Sequence, residues 1–171
     1  MARGKQLGPF GTFVMSIIFA AIGLGVLYYG YGKNKVVRAS KLWPKAKAKI
    51  ISSEVTSHRS TSGSGRKRRT STTYKANIYY KYKVDGKILN SNRIYVMEGS
   101  SSNRSFYEDL VNEYPAGKKT KVAYNPDNIH YSLLKPGESG DLFILWIVGG
   151  LFSFFGGLMF LGSIKKFLTG R

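Results

Sequence analysis

The chain has 171 residues, of which 27 are Lys or Arg and only 9 are Asp or Glu, so its formal net charge at pH 7 is +18. Cysteine is absent, which excludes disulfides, thiolate metal sites and cysteine nucleophiles. So large a surplus of positive charge predicts attraction to anionic lipid headgroups, nucleic acid or acidic protein surfaces.

The first predicted element is an uncharged run over residues 10–31, FGTFVMSIIFAAIGLGVLYYGY, which follows a short basic tail over residues 1–9. At about 1.5 Å per helical residue, this run reaches roughly 33 Å, enough to cross a hydrocarbon core about 30 Å thick. It is too long for the core of an ordinary signal peptide, and no clean cleavage site follows it. We therefore expect a retained transmembrane helix, with interface anchors at its far end at Tyr28, Tyr29 and Tyr31.

A polar block of about 110 residues follows, which is the size of one small domain. Residues 32–44 are predicted to be a juxtamembrane connector, in which Trp43 anchors at the headgroup level and Pro44 ends any helix. From Lys45 onward, basic and apolar residues alternate, which predicts a first strand. The adjacent Ile50 and Ile51 predict a bulge in it.

The low-complexity stretch over residues 57–72, SHRSTSGSGRKRRTST, has no apolar side chain and is predicted to be a flexible loop. Its basic cluster is the densest in the chain and consists of Arg66, Lys67, Arg68 and Arg69. One hypothesis is that this cluster contacts an anionic partner, such as a phosphate or a lipid headgroup. The alternative is a solvated hairpin tip, since the loop lacks aromatic rings that would stack on nucleic-acid bases.

The clearest soluble element runs from Thr73 to Val84, where apolar and polar residues alternate with the period of a strand. Asp85 and Gly86 then supply the φ > 0 positions of a tight hairpin turn. We expect a return strand over residues 87–97.

The period changes to that of a helix over residues 103–114, and serines with an asparagine can cap its start. Two more strands are predicted at 118–125 and 129–134, with an Asn-Pro-Asp-Asn turn between them. Residues 45–137 therefore predict an antiparallel β domain, either a small barrel or a twisted sheet, with one short helix.

A second uncharged run covers residues 142–164 and is followed by a basic tail over 165–171. Trp146 near its start is a further expected interface anchor. The predicted fold class is therefore a two-helix transmembrane hairpin that carries the β domain on one side of the membrane. Basic residues near the spans favour a cytoplasmic domain, although long domains escape this rule.

Small residues recur at four-residue spacing in both spans, which lets helix backbones approach closely. The predicted helix-packing or partner face consists of Ala21, Gly25, Gly149, Ser153 and Gly157. Two outcomes are open: the spans pack on each other, or the face docks onto a helix of a partner.

Residues for catalysis are sparse. His58 and His130 stand alone, outside any metal-binding pattern, and no nucleophile elbow, phosphate loop or dinucleotide fingerprint is present. Neither span contains an ionisable residue that could relay protons. We expect no catalytic, cofactor or metal site, and no enzyme.

Four segments between the spans carry a family resemblance: LWPKAKAKIISSEV, YYKYKVDGKIL, YPAGKKTKVAYNPDN and YSLLKPG. In this order they resemble the family catalogued as domain of unknown function 3592, over nearly the whole chain. The resemblance implies a bacterial-type membrane protein with a β domain between two helices and no established activity. It carries over no catalytic residue, and it places the chain in the cytoplasmic membrane of a prokaryote.

Two functions remain as hypotheses. The first is a non-catalytic, membrane-anchored β module that acts as an accessory or interaction subunit, with membrane lipid and a membrane-protein partner or a second copy around it. The alternative is an electrostatic binder of anionic lipid headgroups or nucleic acid through the basic loop and the strand lysines, with nucleic acid the less favoured ligand.

Overall fold

The computed structural model describes residues 8–63 and 68–169. The elements in chain order are α1 (Pro9–Ser40), β1 (Lys45–Ser62), β2 (Arg69–Val84), β3 (Lys87–Ser91), α2 (Arg104–Glu113), β4 (Lys119–Asn125), β5 (Asn128–Leu133) and α3 (Leu142–Thr169). They form two compact units: one holds α3 with α1 up to Asn34, and the other holds Lys35–Asp141. The expected class, two apolar helices flanking an antiparallel β domain with one short helix, is confirmed.

Helices α1 and α3 are long and apolar enough to cross a membrane. Only 11% and 17% of their most apolar windows are buried, whereas a core helix of a soluble protein is mostly buried. Both helices are longer than the uncharged runs that predicted them. Helix α1 continues through most of the connector assigned to residues 32–44, because the next helix breaker is Pro44. Helix α3 likewise continues to Thr169 through two lysines.

The β domain is a single antiparallel sheet in the order β3-β2-β1-β4-β5. The sheet curls toward closure beyond its edges, where Leu134 N donates to Arg93 O (3.2 Å) and Lys135 N donates to Ile94 O (2.9 Å). These two bonds join the segment after β5 to the segment after β3. The domain is therefore barrel-like, as expected.

The register of β1 against β2 shifts between Ile50 and Ser52, which confirms the predicted bulge. Ile50 is buried, whereas Ile51 is 52% exposed. The extra residue resets the alternation, so that Val55 again faces the core side of the sheet opposite Ala76.

The loop predicted over residues 57–72 was wrong over most of its length. Strands β1 and β2 stay paired out to Ser62 and Arg69, which makes a two-stranded arm of exposed polar residues. Backbone hydrogen bonds and pairs such as Thr61 with Thr70 (3.3 Å between hydroxyls) extend the ladder although nothing apolar is buried there. Composition predicted the lack of a core contact correctly but missed the backbone pairing.

The hairpin turn has positive φ at both central residues, 49° at Asp85 and 78° at Gly86, as predicted. The return strand β3 ends at Ser91, six residues earlier than expected. The chain then turns because the Glu98 carboxylate accepts from the backbone N–H of Ile94 (2.5 Å) and of Tyr95 (3.4 Å).

Helix α2 begins after Asn103, whose side-chain oxygen accepts from Phe106 N at 3.3 Å. Its buried residues, Tyr107 and Leu110, pack into the core of the β domain. At the centre of that core, Tyr80 and Tyr82 of β2 are 0% and 1% exposed. Their hydroxyls reach across the curled sheet toward β5: Tyr80 Oη lies 3.0 Å from Ser132 Oγ, and Tyr82 Oη donates to Ile129 O at 2.6 Å.

Candidate functional site

Six lysines lie close together on the outer face of the sheet. We call this group the lysine face; it consists of Lys47, Lys49, Lys81, Lys83, Lys119 and Lys121. All six are exposed, and they alternate with buried or half-buried residues such as Ala48, Tyr82 and Thr120. The two-residue period of each strand therefore places all six on one side.

The strand register brings these lysines directly opposite one another. Lys47 pairs with Lys121 and Lys49 pairs with Lys119 across β1 and β4. Lys49 also pairs with Lys81 across β1 and β2. The lysine face is therefore an array of two rows across three neighbouring strands.

No ion pair neutralises this array within residues 8–63 and 68–169. The carboxylates that form ion pairs among the described residues lie elsewhere, on Glu98, Glu108 and Glu113. Like charges directly opposite each other in a sheet are destabilising, and here they occur in three pairs. Neutral polar residues at these positions would not repel one another.

A shallow open trough of about 710 Å³ runs across the strands between the two rows. Its walls are the six lysines, its floor includes Ala48, Tyr82 and Thr120, and Ile88 of β3 stands at one end. The floor side chains of Ala48 and Tyr82 are buried on the core side, so backbone forms the floor there. The site can bind anions by charge and by ammonium hydrogen bonds.

The basic cluster predicted in the loop is only partly described, because Arg66 and Lys67 lie outside the described residues. Arg68 and Arg69 are exposed, and Arg69 opens β2 opposite Ser62. The contact of all four residues with an anionic partner therefore stays a prediction. The strand lysines form the array that it does show.

The sequence predicted that the strand lysines contribute to a basic surface, but it did not predict that lysines of three strands form one site. Alternation in each strand predicts which lysines share a face of that strand. It does not predict that β1 pairs with β4, which lies about 70 residues further along the chain, because non-local pairing follows from the tertiary fold.

The predicted interface anchors differ in their surroundings. Tyr28, Tyr29, Tyr31 and Trp146 are 81%, 54%, 53% and 42% exposed. Trp43 is instead half-buried, and its ring meets the Tyr131 ring edge to face at 5.6 Å. It packs within the β domain, which gives it a structural contact there that the sequence did not predict.

The two long helices contact each other through small residues. A Cβ at Gly23 would lie 2.5 Å from Ser153 N, and one at Gly156 would lie 2.6 Å from Ala20 N. Stacked rings flank this contact: Phe13 with Phe160 and Phe19 with Phe152, each at 5.4 Å.

Of the predicted packing face, Gly149 and Ser153 lie in this helix contact. Ala21 is exposed, and a Cβ at Gly25 or Gly157 would meet nothing within 4 Å. On α1 the contact residues are spaced by three and four alternately, at Ser16, Ala20, Gly23, Leu27 and Gly30. The predicted four-residue spacing stays in the contact for one turn of α3, from Gly149 to Ser153, and then leaves it, whereas on α1 it misses the contact.

A second charged cluster lies at the end of α2, where Lys135 Nζ is 2.7 Å from Glu113. Burial alone would raise the pKa of Glu113, but the hydrogen bond and charge of Lys135 lower it. Burial, and then the Glu113 charge, raise the pKa of the neighbouring Tyr114. The pair ties the end of α2 to the segment after β5.

His58 and His130, the two histidines, are both exposed on strands. Within the described residues, no group of three His, Asp or Glu side chains could hold a metal ion. The expectation that the protein is not an enzyme stays a prediction.

The fold and the site together define a class: a small curled β domain with a lysine-rich outer face, flanked by two helices that are apolar enough to span a membrane. The family described as "Domain of unknown function (DUF3592)" matches residues 46–139, more than half of the chain. The chain belongs to this family, as the resemblance indicated. A comparison with curated proteins returned no match.

Proposed function

We propose that this protein is a non-catalytic β module, anchored in a membrane by α1 and α3, that binds an anionic ligand through the lysine face. One observation carries the proposal: three direct cross-strand Lys–Lys pairs with no carboxylate partner among the described residues. Such pairs weaken a sheet, and a bound anion would offset their repulsion. The lysine face, rather than the loop cluster, is the proposed contact.

Matched charge removals test this function. The full chain is placed in nanodiscs of phosphatidylcholine, and its binding to phosphatidylglycerol vesicles and to long-chain polyphosphate is measured at low and moderate salt. We expect K49Q/K119Q to weaken salt-sensitive binding by at least about tenfold, since one hydrogen bond to a charged group contributes about 1.5–3 kcal/mol and about 1.4 kcal/mol is a factor of ten. The control R68Q/R69Q removes the same charge from the arm and is expected to bind within about twofold of the wild type. Equal loss in both variants, or no binding by the wild type, would contradict the proposal.

An accessory or interaction subunit is the second candidate. It is favoured by small residues with open space beside them, Ala21 and Gly25 on α1 and Gly157 on α3, on helices whose other faces already pack together. Small residues with free space above them suit a close helix contact with a membrane-protein partner or a second copy. Purification in mild detergent tests this candidate. A co-purifying partner or a dimer that is lost in Gly25→Leu would support it, and a monomer without partner would contradict it.

We also propose that the β domain lies on the cytoplasmic side of a prokaryotic membrane. Because the chain has no cysteine, a single cysteine at the exposed Ile88 is a clean probe of sidedness. Labelling of intact cells by a membrane-impermeant thiol reagent would place the domain outside, whereas labelling only after lysis would support the cytoplasmic side.

A further inference from the structure

The length and width of the trough in the lysine face indicate the shape of the ligand as well as its charge. The trough is lined by three residues each from β1, β2 and β4 and by one residue of β3, so it runs across the strands. Three interstrand steps of about 4.8 Å give a length of roughly 14 Å. The two lysine rows are two residues apart along each strand, which separates them by roughly 7 Å at the backbone.

The two rows stand on opposite sides of this trough. One row is Lys49 with its direct partners Lys119 and Lys81. The other is Lys47 with its partner Lys121, followed on β2 by Lys83. A ligand lying along the trough would therefore meet ammonium groups on both flanks at each strand, whereas a flat bilayer would meet only their tips.

We propose that the trough holds a single unbranched chain of phosphate groups laid across β4, β1 and β2; this rests on the anion binding proposed above. A phosphate in such a chain carries non-bridging oxygens on both sides of the chain axis, so each can accept from both walls. A carboxylate on a side branch presents its oxygens in one direction and would satisfy only one wall. Lysine suits this ligand because its ammonium is a compact point charge on a flexible stem.

The lining of the trough also favours a chain without bases. Among the described residues that line it, the one aromatic residue is Tyr82, whose ring is buried in the core and whose hydroxyl donates to Ile129 O. Single-stranded nucleic acid is normally held by stacking its bases on aromatic rings. The proposed occupant is therefore an anionic phosphate polymer without bases, namely inorganic polyphosphate.

A chain-length series tests this inference. Orthophosphate, tripolyphosphate and long-chain polyphosphate are titrated against the full chain in phosphatidylcholine nanodiscs, with calorimetry as the readout. We expect affinity to rise by more than tenfold from orthophosphate to the long chain, with a slope of log K against log salt of about −3, since roughly four phosphates would be neutralised. Orthophosphate binding as tightly as the polymer would overturn the inference.

Wall variants test the two-sided geometry. K49Q/K81Q removes charge from one wall and K47Q/K83Q removes the same charge from the other. Each is expected to weaken polyphosphate binding by about tenfold, while K49R/K81R keeps the charge and stays within about threefold. Loss in one wall variant only would overturn the trough as the site. Circular dichroism melts of each variant check that the fold is kept.

Two further arms separate this inference from the proposed function. A wild-type protein that binds phosphatidylglycerol vesicles but not polyphosphate would keep the anion-binding function and overturn the polymer. Tighter binding of a single-stranded oligonucleotide than of polyphosphate of equal charge would overturn the base-free ligand.

A fluorophore tests where the ligand lies. An environment-sensitive fluorophore on Ile88→Cys, at the β3 end of the trough, should respond to the long chain and not to orthophosphate; equal responses would contradict the placement.

Discussion

The core tyrosines of β2 show how single residues hold the curled sheet. Tyr80 Oη donates to Arg93 O at 2.9 Å and lies 3.0 Å from Ser132 Oγ, while Ser132 itself is 0% exposed. A buried polar atom that loses its partner costs free energy because it cannot return to water. The hydroxyl of Tyr80 is therefore as much a part of the core as its ring.

Tyr80→Phe is expected to lower the free energy of unfolding by about 1–3 kcal/mol, because Ser132 Oγ and Arg93 O both lose a partner. The matched control is Tyr79→Phe on the outer face, where the side chain is 47% exposed and the change should be near zero. Denaturant unfolding of the full chain in detergent, followed by circular dichroism, measures both. Equal losses would show that the buried hydroxyl has no special role.

The same residue predicts a loss of stability at alkaline pH. Burial raises the pKa of Tyr80 to about 12, whereas an unfolded tyrosine has a pKa of about 10. Above pH 10 the unfolded chain releases the proton first, so stability falls as the pH rises toward 12 and is fully present below pH 10. We expect the melting temperature to fall more steeply from about pH 10 to about pH 12 in the wild type than in Tyr80→Phe. Parallel curves would contradict this assignment.

At the scale of elements, the contact between α1 and α3 depends on where glycine falls on the helix surface. Gly23 lies so close to Ser153 and Gly149 that a Cβ atom would not fit there. The two helices can therefore approach this closely only because residue 23 is a glycine. Gly25, two residues later, faces open space. Residues two apart on a helix point in very different directions, so neighbouring glycines serve different purposes.

Gly23→Ala is expected to weaken the helix pair by about 1–3 kcal/mol, because the added methyl would overlap Ser153 and force the backbones apart. Gly25→Ala adds the same methyl to open space and should change the stability little. Unfolding by sodium dodecyl sulfate in mixed micelles compares the two variants. A larger loss in Gly25→Ala would show that the open face, and not the helix contact, is the sensitive surface.

At the scale of the whole molecule, the surplus of positive charge includes six lysines on one face of the sheet. The chain has 27 basic and 9 acidic residues, yet six lysines stand in one array without ion pairs among the described residues. Repulsion of this kind is screened by salt because the charges are exposed to solvent. The stability of the unliganded domain should therefore depend on ionic strength.

K49Q/K119Q removes two of the three directly opposed pairs, because Lys49 faces both Lys119 and Lys81. It is expected to raise the stability at low salt by a few tenths to about 1 kcal/mol. The gain should shrink at about 1 M salt, where the screening length is about 3 Å. Thermal melts in both buffers measure it, and R68Q/R69Q is the control because Arg69 is opposite Ser62 rather than a like charge. A variant less stable than the wild type at low salt would mean that the lysine stems stabilise by packing.

Much of this protein follows from its sequence, because the signals are local. Uncharged runs longer than a bilayer core predict the two long helices, a two-residue period predicts the strands, and Asp85-Gly86 predicts its turn with φ > 0. What only the tertiary structure decided depends on contacts between distant segments. The pairing of β1 with β4 assembled the lysine face, the backbone ladder extended the arm past its last apolar residue, and helix packing selected Gly23 over Gly25. Such contacts are fixed by the free energy of the whole fold, which no local pattern of residues contains.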